Sequence, residues 1–329
     1  MEVFIMKYRT MGRAGYKVSE IGFGAWQIGG GSWGAQNDED SIKALHTAIE
    51  KGVNFIDTAA GYGNGKSEKI VGKFIKDVGK RIYIATKTPP LPGTWPPSPY
   101  CIAEDRYPES YIRNNVNERL KNLDVDKLDI LLLHTWTRAW NNNPTPLKIL
   151  EKLKNEGKIE NIGISTPEHD QNSVIDLMRN GLVDIVEVIY NIFDQEPAAE
   201  FLPTAEKYNV GLIGRVPFDE GSLTGKYTIN TVFEEGDFRR DYFTGDRLKK
   251  TLERLEKVRE DIKDTGLTLP QAALLFVLNQ PSISTVIPGM RNVNQVELNT
   301  AVSDMSPLSE DIVIKLRKHN WLRAYWYSG

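Results

Sequence analysis

Apolar residues in this chain come in short runs bounded by polar punctuation, and the runs alternate with stretches of helical period. Residues 7–20 predict a short hairpin turning around Gly12–Gly15. The apolar runs that follow are "IGFGA" (21–25), "NFIDTA" (54–59), "RIYIATK" (81–87), "LDILLLHT" (128–135), "IENIGIST" (159–166), "DIVEVIY" (184–190), "GLIGRV" (211–216) and "STVIPG" (284–289). Each leads into a predicted helix. The first runs from about 38 to 51 and puts Ile42, Leu45, Ala48 and Ile49 on one face. The later ones are carried by "SEKIVGKFIK", "PESYIRNNVNERLKNL", "PLKILEKLKNEG", "NSVIDLMRNG" and "AAEFLPTAEKY", then by residues 246–264 and 270–279, by 292–301, and by a stretch near the C-terminus.

Strands that are nearly continuous in apolar residues are what a parallel sheet covered on both faces requires. Eight strand–helix units, with no linker or shift of composition between them, predict a (β/α)8 TIM barrel as one domain over residues 1–329. It carries an N-terminal hairpin and extended mouth loops.

Composition narrows the function. Apolar residues are 40% of the chain and charged residues 26%, as in ordinary globular proteins. The 41 basic and 44 acidic residues are interspersed, with a net charge of −3 and no basic block, so nothing points to nucleic acid or an anionic membrane. A lone cysteine, Cys101, excludes an internal disulfide and fits a reducing compartment. "MEVFIMKYRTMG" is too short in apolar residues for a signal peptide and no long apolar span follows, so the expected location is the cytoplasm. His46, His134, His169 and His319 lack metal-ligand spacing, and metal chemistry is not expected. The charge-mixed surface helices leave the oligomeric state open.

Two glycine clusters suggest phosphate binding. "AAGYGNGKSEKIVGKF" (59–74) joins an apolar strand to a helix and satisfies the loose phosphate-loop pattern through Gly65-Lys66-Ser67. A phosphate-loop enzyme also needs an acidic residue after another apolar strand to hold Mg²⁺, and "DILLLHT" ends in His134 instead. Gly65 as a turn, Ser67 as a helix cap and Glu68 in the first turn account for the same residues structurally. "GFGAWQIGGGSWG" lacks the dinucleotide-fold spacing and its acidic partner.

Side chains at the carboxyl ends of barrel strands face one mouth. Four such positions are polar: Asp57, Tyr62 just beyond it, Lys87 and His134. Each alone has a structural reading; together they form a proton-delivery set. A phenol is a weak acid, with an unperturbed pKa of about 10. A neighbouring ammonium favours its ionised form. A carboxylate keeps that ammonium charged and in place, and an imidazole can orient a carbonyl oxygen. Such a set suits a reaction in which oxygen gains a proton while its carbon receives hydride, and the hydride must come from a cofactor.

At this point the chain resembles a known family. "GVNFIDTAAGYGNGKSE", "IYIATK", "LDILLLHT", "IGIS", "LTGKY" and "STVIPGMRNVNQVELN" resemble the aldo-keto reductases, in order and at family spacing, from Ile21 to about Ala301. The resemblance implies a (β/α)8 barrel that reduces aldehydes and ketones with NADPH bound across the mouth. It implies Tyr62 as general acid, Lys87 tuning it, Asp57 holding Lys87, and His134 orienting the carbonyl. It places Gly24, Ala25, Trp26, Ser165 and Thr166 at the nicotinamide, with Glu187 where the family has glutamine and Arg215 where it has a stacking aromatic. The pyrophosphate loop falls on Pro217–Lys226, with Gly221, Leu223 and Lys226 as contacts. The adenosine end falls on Gly289, Arg291, Gln295 and Asn299, with Leu298 replacing an acidic residue. Arg291 facing a 2′-phosphate makes NADP the expected cofactor over NAD.

The expected partner is a small-molecule carbonyl or alcohol. Mouth loops rich in aromatics, including Trp95, Trp140 and the tail "WLRAYWYSG", suggest a flat-walled pocket, and Trp33 and Trp136 sit close enough to strand ends to be singled out. The loop 88–107 is longer than usual connections, which favours a lid or docking surface. The rival readings are an NADP-binding redox sensor with weak catalysis, as in the potassium-channel β subunits of that superfamily, and, remotely, a phosphate-loop ATPase.

Overall fold

A computed structural model describes residues 5–31, 33–95 and 97–322; the far end of the aromatic tail, 323–329, lies outside the described residues. Strands β1 (Tyr8–Met11) and β2 (Tyr16–Ser19) pair antiparallel. Eight parallel strands follow: β3 (Phe23–Gly24), β4 (Phe55–Asp57), β5 (Tyr83–Thr88), β6 (Leu128–Leu133), β7 (Ile159–Ser165), β8 (Ile185–Ile189), β9 (Gly211–Arg215) and β10 (Ile283–Val286). They neighbour one another in chain order. β6 is buried at every position, as a strand with a neighbour on each edge, helices outside it and the barrel interior within must be.

The sheet closes on itself. Gly22 N donates to Val286 O at 2.8 Å, Val286 N to Glu20 O at 2.9 Å and Gly24 N to Pro288 O at 3.1 Å, so the first and last strands meet in parallel. Gly24 is required there: a Cβ would stand 2.7 Å from Ile287 O. The "IGFGA" run, expected to be a strand over 21–25, is in regular ladder only at Phe23–Gly24, with isolated bridges from Ile21 and Gly24 across the seam.

Two cores follow from this closure. One lies between the strands and the surrounding helices. The other fills the barrel interior, where Phe55, Ala85, Ile130, Leu132, Ile185 and Ile213 meet Met11, Tyr16 and Val18 of the hairpin. The hairpin therefore covers one end of the barrel, and the mouth is the other. Arg9 fastens it, donating to the carbonyls of Leu278, Gln280 and Ile283 at 2.7, 3.0 and 3.0 Å.

The helices follow from sequence in the same way. Asn37 caps Asp38–Glu50 by accepting from Glu39 N and Asp40 N, and three acidic residues open that helix. Thr268 and Gln271 form a capping box at Leu269–Leu278. Helix 172–181 is shorter than its period predicts, a 3₁₀ stretch followed by Ile175–Arg179. The loop 88–107 contains a turn of helix, Ala103–Arg106, and is tied down by the buried Arg106, which donates to Leu91 O and Thr94 O at 2.7 and 3.2 Å. Among the described residues, no helix is long and apolar enough to cross a membrane.

Candidate active site

Asp57 ends β4, Lys87 is the next-to-last residue of β5, and His134 follows β6. Adjacent parallel strands bring these three to one place. Lys87 Nζ donates to Asp57 Oδ1 and Oδ2 at 2.5 and 2.6 Å, to Thr58 O at 3.2 Å, and to the Tyr62 hydroxyl at 3.2 Å. The rings of Tyr62 and His134 meet edge-on, with centroids 6.0 Å apart.

Tyr62 stands in the turn between β4 and helix Lys66–Val78, aimed by close backbone contacts. Gly63 has φ +60, and a Cβ on it would lie 2.2 Å from Gly29 O; a Cβ on Gly29 would lie 2.7 Å from Tyr62 C. Only glycine permits such an approach. Trp26 stacks on the Tyr62 ring at 5.8 Å.

The same turn revises the structural account of Gly65-Lys66-Ser67. Gly65 holds the cap position with φ +81, and Ser67 lies inside the helix. Its buried hydroxyl donates to Ala25 O at 2.8 Å and accepts from Thr58 at 2.9 Å, so it joins the turn to β3 and β4. Glu68 stands in the first turn as expected, but is buried, held by Thr86, Arg119 and Asn122 at 2.6, 2.6 and 2.9 Å. Lys66 pairs with Asp38 at the surface, at 2.6 Å.

Electrostatics set the resting state. Burial raises the Tyr62 phenol above its ordinary range; Lys87 opposes this without overcoming it, so the group is held as a phenol. This corrects the simpler expectation that the ammonium alone decides. Burial lowers the ammonium's pKa, but Asp57 and Glu187 outweigh it and keep Lys87 charged. Burial, then Glu187, pushes the Asp57 carboxyl well up, against the pull of Lys87. Burial, with Lys87 and Arg215, lowers His134 to about 3, so the imidazole is neutral.

These groups open on a cavity of about 580 Å³ that Asp57, Tyr62 and His134 line. Gly24, Trp26, Trp33, Ser165, Glu187, Arg215, Pro217, Gly221, Lys226, Gly289, Arg291 and Gln295 line it as well. Besides Lys87, which is fully buried, five expected positions do not. Ala25 is fully buried, with its carbonyl taken by Ser67. Leu223 is in the core, and Asn299 is buried in helix Val293–Thr300. Thr166 borders a neighbouring hollow of about 360 Å³ with Trp95, His134 and Glu168. Trp136, expected as a mouth wall, is fully buried: it packs edge-on against Trp140 and donates to Asn141 at 2.7 Å. An apolar ring one turn past a strand was drawn into packing beneath the loop.

Arg239 and Tyr227 line the cavity without having been singled out from sequence, and Phe238 backs two of its lining residues, Trp26 and Trp33. The segment of Phe238 and Arg239 carries the signal "GDFRRDYF", aromatic and basic together in a connection longer than its neighbours. Arg239 pairs with Asp237 at 2.5 Å and lies 4.6 Å over the Trp33 ring, while Phe238 packs on Trp26 and Trp33 at 5.2 and 5.3 Å.

The loop after β9 is held in rare backbone conformations. Val216, Asp219, Glu220 and Gly221 have φ of 55, 46, 52 and 92. For a β-branched residue this is costly and persists only when the surroundings impose it. Asn191 donates to Val216 O at 3.0 Å, the buried Asp219 accepts from Ser222 and Tyr242 at 2.6 and 2.9 Å, and Tyr227 donates to Glu220 O at 2.8 Å. The backbone N–H groups of Asp219, Gly221, Ser222 and Leu223 are spent inside the loop, on Val216 O, Phe218 O, Asp219 O and Phe218 O at 3.0–3.1 Å, so the loop is a braced wall of the cavity.

The wall fits a phosphorylated, amide-bearing ligand. Glu187 Oε2, Arg215 Nε, Gln27 Oε1 and Trp33 Nε1 are buried without a hydrogen-bond partner, on residues that line the cavity. Arg291 is depressed by burial and by Arg239, two guanidiniums that an anion between them would relieve. Arg291 also bonds Gln36 Oε1 at 2.7 Å, Trp33 O at 3.2 Å and Ala35 O, and its backbone N donates to Gln295 Oε1 at 2.8 Å. Arg215, expected to lie flat on a ring, is pinned to Thr166 O and Glu168 at 2.9 and 3.0 Å.

Comparison with known proteins agrees with this geometry. Residues 20–320 match the model of the Aldo/keto reductase family. The chain is 30% identical to the aldo-keto reductase YhdN of Bacillus subtilis, over 93% of this chain and 91% of that one. It is 28% identical to the NADH-specific methylglyoxal reductase of Escherichia coli, over 94% and 97%. In three dimensions it is similar to the holo form of aldo-keto reductase AKR11C1 from Bacillus halodurans, with a TM-score of 0.76 and 24% identity, over 97% and 99% of the two chains; at that identity the likeness speaks for the fold. With a family match over nearly its whole length and a barrel of the same form, the chain belongs to the aldo/keto reductase family of NAD(P)-dependent oxidoreductases.

Proposed function

We propose that the protein reduces an aldehyde or ketone to the alcohol, reversibly, with NADPH preferred to NADH, and that one barrel domain carries the whole activity. The observation that carries the reading is the Lys87 ammonium, held by Asp57 at 2.5 Å and donating to the Tyr62 hydroxyl at 3.2 Å, at the edge of a cavity of about 580 Å³.

When bound, the nicotinamide supplies the hydride. The chain's residues manage the proton. Tyr62 is held as a phenol, so it has a proton to give to the substrate oxygen. As that proton leaves, negative charge gathers on the phenol oxygen, 3.2 Å from a fixed ammonium in a water-poor site, where the interaction is strong. Asp57 keeps Lys87 from turning away. His134, neutral and beside Tyr62, orients the carbonyl by a hydrogen bond without competing as an acid. Lys226, beside the left-handed loop at 216–221, is suited to hold the pyrophosphate, and Arg291 with Arg239 the 2′-phosphate. Trp26, Trp33 and the hollow beside His134 and Trp95 offer apolar walls for the substrate.

The test is loss of NADPH absorbance over a panel of aldehydes and ketones, for wild type and Tyr62→Phe. Turnover that Tyr62→Phe abolishes, with NADPH binding retained, supports the reading. Tight binding with no turnover of any substrate points to a redox-sensing role instead, and turnover undiminished in Tyr62→Phe overturns the proposed proton donor.

A further inference from the structure

The cavity wall carries a carboxylate that proton delivery does not use. Glu187 lies in β8 with its side chain 2% exposed, yet it lines the cavity. Oε1 accepts from Ser165 Oγ at 3.1 Å and stands 3.7 Å from Arg215 Nε. Oε2 stands 3.2 Å from Lys87 Nζ but accepts no hydrogen bond. Lys87 also holds both oxygens of Asp57, so one ammonium serves two carboxylates. Taking a second carboxylate out of water is costly unless its charge and lone pairs are matched. Here both carboxylates line the cavity and the ammonium they share does not. Such a wall favours a ligand that brings positive charge.

We propose that Glu187 biases the cavity toward the oxidised, positively charged form of a nicotinamide dinucleotide over the reduced form, whose ring is neutral. The inference rests on the reading above that this cavity takes such a dinucleotide. The two forms differ by a hydride and by one unit of charge on the ring, and share ribose, phosphates and adenine. A residue that weights one over the other must therefore sense that charge, and a ligand-dependent preference requires a difference in interaction free energy between the two. Arg215 is the opposite pole of the same wall and acts against Glu187. Removing either charge moves the preference, in opposite directions.

The experiment measures dissociation constants of NADP⁺, NADPH, NAD⁺ and NADH by quenching of tryptophan fluorescence, since Trp26 and Trp33 line the cavity. In Glu187→Gln, the ratio of the oxidised-form to the reduced-form constant rises on the order of tenfold, the effect of one unit charge at roughly 10 Å with an effective dielectric near 20. Glu187→Asp keeps the ratio close to wild type, and Arg215→Gln lowers it. Should Glu187→Gln fail to fold, the step from Arg215→Gln to the double Gln variant reads the same quantity. Tight binding of both forms with an unchanged ratio overturns this inference alone. Failure of the wild type to bind any of the four overturns the reading of the cavity, and this with it.

Discussion

Lys87 Nζ lies 3.2 Å from the Tyr62 hydroxyl while two oxygens of Asp57 hold it from the other side at 2.5 and 2.6 Å. The ammonium is thus committed in direction as well as charge. On the proposed mechanism, Lys87→Met lowers kcat by roughly a hundredfold to ten-thousandfold, the range for a positioned proton-transfer group. It also leaves Asp57 and Glu187 as buried carboxylates without their shared cation. Removing one partner from a buried charge cluster costs about 3–5 kcal/mol. Single-turnover kinetics and urea denaturation separate the two effects. A kcat near wild type would remove Lys87 from the mechanism.

His134 makes the fold sensitive to acid. Its ordinary pKa of 6.5 falls to about 3 in the folded protein, because of burial first and the positive charges of Lys87 and Arg215 second. Between those values the unfolded chain takes up a proton that the folded one refuses, so stability is lost as pH falls through this window. His134→Gln is expected to be less acid-sensitive than wild type between pH 6 and 4, by up to about 1.4 kcal/mol per pH unit. Urea unfolding of both proteins at several pH values measures the difference in slope. Parallel slopes would show that the imidazole protonates freely in the native state.

The barrel was readable in the sequence because its cause is local. Buried parallel strands need apolar runs, and runs such as "LDILLLHT" announce themselves. The meeting of Asp57, Lys87 and His134 follows from that architecture, since the carboxyl ends of neighbouring strands open on one side. What escaped reading depends on contacts distant in sequence. Arg291 bonds residues 33–36, more than 250 positions away, and Arg239 reaches the cavity because its segment folds over Trp26 and Trp33. Trp136 shows the limit from the other side. Its position near a strand end was clear, but whether a ring faces the cavity or the core is settled by the neighbours it packs against, here Trp140.

Ser67 and Lys66, neighbours in the glycine-rich turn, should behave in opposite ways. Ser67→Ala leaves Ala25 O and the Thr58 hydroxyl without their buried partner, at a cost of about 1–3 kcal/mol. Lys66→Ala removes an ion pair whose two side chains are 41% and 55% exposed, and such pairs contribute roughly 0–1 kcal/mol. Thermal unfolding of the two variants gives the comparison. A phosphate loop would reverse the emphasis, making Lys66 the residue whose loss abolishes nucleotide binding.

Arg291 carries the expected preference between the two dinucleotides. Its guanidinium is already braced by Gln36, Trp33 O and Ala35 O, and it is destabilised by Arg239 across the same cavity. A 2′-phosphate there gains a charge-assisted partner and relieves the repulsion between the two cations, whereas a 2′-hydroxyl does neither. Arg291→Ala is therefore expected to weaken NADPH binding by tenfold or more, on the scale of about 1.5–3 kcal/mol for a hydrogen bond to a charged group. NADH binding should change by no more than about threefold, because the loosened 33–36 loop affects both ligands alike. The difference should shrink as salt is raised, since the contact is ionic and partly exposed. Fluorescence titration of both dinucleotides against wild type and variant at two ionic strengths measures it. Equal losses for NADPH and NADH would make Arg291 a brace for the loop and leave the preference to Arg239.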